Sequence, residues 1–74
     1  MRFLLIALSL LSLPVKAETK YVIQWRDAFG EYHNYKIQYV KTSAYKTAEQ
    51  RARYTNKVYR IIDGDGKLIN IFFP

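Results

Sequence analysis

The chain has 74 residues, twelve Lys and Arg against six Asp and Glu, a net charge of +6, and no cysteine. That length holds one domain at most. The missing cysteines exclude a disulfide framework and thiol chemistry.

The first element is an export signal. Arg2 supplies a positive start, and Phe3 to Leu13 is an uncharged run broken only by two serines among apolar residues. Pro14 ends the run, and Val15 and Ala17 offer the small side chains that a signal peptidase accepts. A spanning helix needs about 20 apolar residues, and this run is shorter. Residues 1–17 are therefore expected to be a cleavable signal peptide, and residues 18–74 a small basic domain. No stable membrane-spanning segment is expected after cleavage. Losing Arg2 and Lys16 leaves ten cations against six acids, a charge of +4. A domain of this size buries only about 60% of its unfolded surface. Eleven aromatic residues after position 17 are the visible means of stabilising it.

Tyr21 to Arg26 alternates, with Tyr21, Ile23 and Trp25 on one face and Gln24 and Arg26 on the other, as a half-buried strand does. Asp27-Ala28-Phe29-Gly30 reads as a turn. Tyr32 to Val40 alternates again, placing Tyr35, Ile37 and Tyr39 together and Asn34, Lys36 and Gln38 opposite. Ala44 to about Thr55 is rich in helix formers, with Ala44, Tyr45, Ala48 and Ala52 on one side. Thr42 or Ser43 is a candidate cap, the Thr47-to-Gln50 segment fits a later capping box, and Asn56 suits the left-handed C-terminal position. Val58 to Ile62 is β-branched and aromatic, Asp63-Gly64-Asp65-Gly66 is a turn, and Lys67 to Phe73 is the last strand. A three-residue loop would set Ile61 opposite Ile69, Tyr59 opposite Ile71 and Arg60 opposite Asn70, leaving one wholly apolar face. The expected fold is α+β in the order ββαββ: two β-hairpins forming one sheet with a single helix packed on one face.

No residue set points to catalysis. His33 has Glu31 two positions away, but no nucleophile or second base stands near in sequence. Asp63-Gly64-Asp65-Gly66-Lys67 has the opening spacing of a calcium loop, yet Lys67 occupies the fifth position and no distal Glu follows. Ser43 is the one serine after position 17, and no Gly-rich phosphate loop is present. Catalytic, cofactor and metal sites are therefore expected to be absent.

The surface carries more information. With Tyr21, Ile23 and Trp25 facing the helix, the open sheet face is expected to carry Gln24, Arg26, Tyr32, Lys36, Gln38 and Arg60. Tyr and Arg are favoured at protein interfaces. The last strand is apolar on both faces, which singles out Leu68 and Phe72 as contacts for a partner or a homodimer. The candidate binding residues are Arg26, Tyr32, Lys36, Arg60, Leu68 and Phe72. They point to a periplasmic or secreted non-enzymatic module that binds a protein with an acidic surface, as an inhibitor, exclusion factor or accessory subunit does. The alternative is a binder of anionic polymers (nucleic acid, a membrane or a cell-wall surface), with nucleic acid disfavoured by export.

Overall fold

The computed structural model describes residues 19–74, and the expected signal peptide, 1–17, lies outside the described residues. Strand β1 spans Tyr21–Arg26, β2 Tyr32–Gln38, β3 Tyr59–Ile62 and β4 Leu68–Phe72, with one helix, α1, over Lys41–Thr55. The sheet order is β2-β1-β3-β4 and every neighbouring pair is antiparallel. The two hairpins thus meet through β1 and β3, and α1 covers one face. This is the ββαββ α+β domain expected from the sequence.

The core lies between α1 and the two central strands. Ile23, Tyr59 and Ile61 point at Ala44, Ala48 and Ala52, and all six are buried. The three alanines recur every four residues, so they form one stripe along the helix. Their short side chains let the helix lie close to the sheet. Tyr21, Trp25, Tyr45, Ile69 and Phe72 close the rim. Arg51 Nε donates to the Tyr59 hydroxyl at 3.4 Å, and its guanidinium lies 4.7 Å from the Tyr35 ring centre. Four such cation–ring pairs occur among the described residues. A cation over an aromatic face is attracted by the ring's quadrupole, which adds to the contacts of a small apolar core.

The helix starts earlier than its residue preferences suggest. Val40 is the N-cap, with no side-chain cap bond, so neither Thr42, Ser43 nor the Thr47 box begins it. The tight link from β2 sets the start instead. Asn56 ends it with φ 58° and ψ 36°, as its tolerance of the left-handed region predicts.

Two β-bulges change which residues face the helix. In β2, Ile23 pairs with Lys36 but Gln24 pairs with Asn34, leaving Tyr35 extra. Tyr35 packs edge-on against Tyr59, 6.0 Å between centres. The alternation beyond it is then reversed. Ile37 joins Val22 on the open face, whereas Lys36 stands opposite Ile23 on the helix side. Gln38 also turns to the helix, donating from Nε2 to Thr47 Oγ1 at 3.2 Å. In β4, Ile62 pairs with Leu68 but Ile61 pairs with Asn70, leaving Ile69 extra. The expected three-residue loop closes, with Asp63 N donating to Lys67 O at 2.9 Å, but the register beyond it shifts by one. Arg60 faces Ile71 and Tyr59 faces Phe72. A bulge adds one residue to one strand only, so strict alternation cannot anticipate it.

The two hairpin turns have the same backbone. Asp27 N donates to Glu31 O at 2.8 Å and Gly30 N to Asp27 O at 3.1 Å. Asp27 Oδ1 accepts from Phe29 N at 2.8 Å and Glu31 N at 2.9 Å. The second turn repeats each bond. Gly66 N donates to Asp63 O at 3.1 Å, and Asp63 Oδ1 accepts from Asp65 N and Lys67 N, both at 2.9 Å. Gly30 and Gly66 hold φ of 86° and 84°, a conformation that favours glycine.

Candidate interaction surface

The face of the sheet away from α1 has no covering element among the described residues. Cross-strand pairing arranges its side chains in rows. One row is apolar across all four strands: Ile37, Val22, Ile62 and Leu68. Val22 in the middle is only 8% exposed, shielded by its neighbours, while Ile37 and Leu68 at the edges are 44% and 51% exposed. The next row is Asn34, Gln24, Arg60 and Ile71. Its polar groups form a chain: Arg60 Nε donates to Gln24 Oε1 at 2.8 Å, and Gln24 Nε2 donates to Asn34 Oδ1 at 2.8 Å. Beyond it, Arg26 pairs with Tyr32. The Arg60 guanidinium lies over the Tyr32 ring, 3.6 Å from its centre. Arg26 and Arg60 are the charged groups of these three rows, and no carboxylate stands in them.

Of the six residues singled out in the sequence, Arg26, Tyr32, Arg60 and Leu68 share this face. Lys36 does not, because the Tyr35 bulge carries it to the helix side of the β2 edge. Phe72 does not share a face with Leu68 either. The Ile69 bulge turns it beneath the helix, where it meets Tyr45 edge-on at 5.5 Å. Ile37, Ile62 and Ile71 take their places on the open face, and simple alternation sets both Ile37 and Ile71 on the helix side.

A second cluster sits at the β1–β2 turn. His33 Nε2 lies 2.7 Å from Asp27 Oδ2, and the His33 ring packs 4.8 Å from Trp25. Lys57 Nζ stands 4.5 Å above the same Trp25 ring. The His33 hydrogen bond, followed by the Glu31 backbone N–H, holds the Asp27 carboxyl below its ordinary value. Ligand atoms of Asp27, Glu31 and His33 lie within 4.8 Å of one another. Both Asp27 oxygens are already committed, one to the turn N–H groups and one to His33, so the cluster reads as a clamp on the turn. Beside it, Trp25, Arg26, Phe29, Asn56, Lys57 and Val58 line a shallow cleft of about 640 Å³.

No helix among the described residues is long and apolar enough to cross a membrane. In comparisons with known proteins, no family model, no curated protein and no solved structure matches the chain.

Proposed function

We propose that this protein is an exported, non-enzymatic binding module whose open sheet face docks on a protein outside the cytoplasm, acting as an inhibitor, exclusion factor or accessory subunit. The observation that carries the reading is the uncovered apolar row Ile37–Val22–Ile62–Leu68 beside cations with no carboxylate among them. An apolar centre flanked by arginines suits a partner with an apolar patch and acidic surroundings, and the charge speeds encounter. Export rests on the pattern of residues 1–17. Intact mass after cell fractionation tests it, with a species of residues 18–74 outside the cytoplasm as the expected result. The double variant Arg26→Glu/Leu68→Asp tests the face. It should lose partner capture with its melting temperature nearly unchanged, and undiminished capture would remove this face.

The alternative, an anionic polymer on the same face, draws on the net basic charge. Base stacking is the weak part of it. Arg60, Arg51 and Lys57 already cover one face of the Tyr32, Tyr35 and Trp25 rings. Salt separates the two readings: polymer binding falls steeply as salt rises through counterion release, whereas an apolar protein contact responds weakly.

A further inference from the structure

We infer that Phe29 is a preformed aromatic anchor that enters an apolar pocket of a protein partner, a step that rests on the protein-binding reading above. The two turns provide an internal control. Their hydrogen bonds agree bond for bond, and that geometry fixes two positions, the Asp that gathers the N–H groups and the Gly with positive φ. The third position is free of both demands. One turn places Asp65 there, a side chain suited to water. The other places Phe29, 91% exposed. Turn formation therefore does not explain the phenylalanine, and neither does the core, from which it projects.

The first turn is also held more firmly than the second. Asp63 makes the turn bonds alone, whereas Asp27 adds the bond to His33, which packs on Trp25 beneath Lys57. A stiff support lowers the ordering entropy lost on binding, which is what an anchor needs. A single aromatic ring in a desolvated pocket is a typical source of binding energy. The charges near the ring define the pocket. Asp27, Arg26 and Lys57 all line the same cleft as Phe29, but the Asp27 oxygens are taken by the turn N–H groups and His33, which leaves the two cations to face a partner. They suit carboxylates at the pocket border. An anionic lipid surface would meet the same two cations, and the nature of the crosslinked adduct separates it from a protein.

The test places a photo-crosslinking phenylalanine at position 29, at the matching turn position 65, and at position 71 on the sheet face, each in the full chain expressed in its native host. A protein adduct at 29 and none at 65 is expected. Phe29→Asp, which copies the other turn, should weaken capture by about tenfold or more, while Phe29→Trp retains it. Both should melt near the parent, since the side chain lies outside the core. Equal adducts at 29 and 65, adducts to lipid alone, or undiminished capture by Phe29→Asp would overturn the anchor. An adduct at 71 without one at 29 overturns the anchor and leaves the sheet-face reading standing. No protein adduct at either position overturns both.

Discussion

The two faces of the sheet use similar residues to different ends. On the covered face, Ile23 and Ile61 are fully buried against alanines of α1. On the open face, Val22 and Ile62 sit one residue away in the same strands, and their row remains uncovered. The covered face holds the fold together. The open face retains exposed apolar area at Ile37 and Leu68, on either side of the buried Val22, and apolar area that folding leaves exposed is what an interface can use. The contrast separates residues that stability explains from residues that it does not.

The largest effect should come from Ile61→Ala. It removes a fully buried side chain from a six-residue core and should lower stability by about 2–5 kcal/mol. For a domain of this size that is most of the total, and urea unfolding followed by circular dichroism will read it. If Ile37→Ala costs as much, the two faces do not differ as described. Ala48→Leu should follow, since the alanine stripe leaves no room at the helix–sheet contact. Overpacking there should cost about 1–3 kcal/mol, and a stabilised variant would mean a looser contact.

An intermediate effect concerns acid. The folded-state pKa of Asp27 lies below the ordinary 3.8, chiefly through the His33 hydrogen bond. A lowered value means that the folded chain holds the carboxylate more readily than the unfolded one does. The contribution is therefore complete above the unfolded value and disappears as pH falls through the folded one. Melting temperature against pH should fall below about pH 4, and Asp27→Asn should flatten that decline. An unchanged acid limb would remove the Asp27–His33 pair as its source. The smallest effect belongs to Leu68→Ser. At a half-exposed edge position it should change stability by about 0.5 kcal/mol or less, while reducing partner capture if the open row is the interface.

The sequence carried most of the fold because its signals were local. Alternation in Tyr21–Arg26, the alanine spacing of α1, Asn56 after the helix and the two Asp-to-Gly turns each act within a few residues. The misplaced features were non-local. Tyr35 and Ile69, the two bulge residues, both pack toward distant parts of the chain, Tyr35 against Tyr59 of β3 and Arg51 of α1, and Ile69 against the helix-side core. Those two insertions account for the departures of Lys36, Ile37 and Phe72 from the expected faces. Arg26 and Arg60 kept their side because β1 and β3, the central strands, pair without interruption, and Tyr32 kept its side because it lies on the turn side of the β2 bulge. Phe29 was visible as a turn residue, but its meaning needed the second turn for comparison.

Both bulges occur in β2 and β4, the two strands that end the sheet. A regular edge offers a straight row of unpaired N–H and C=O groups onto which another chain can add without limit. An extra residue bends that row and increases its twist, so an incoming strand cannot follow it for long. A chain rich in aromatic and β-branched residues is a natural candidate for stacking into fibrils. Here the interrupted edges oppose such growth, so if the open face is the interface, binding there can end after one partner.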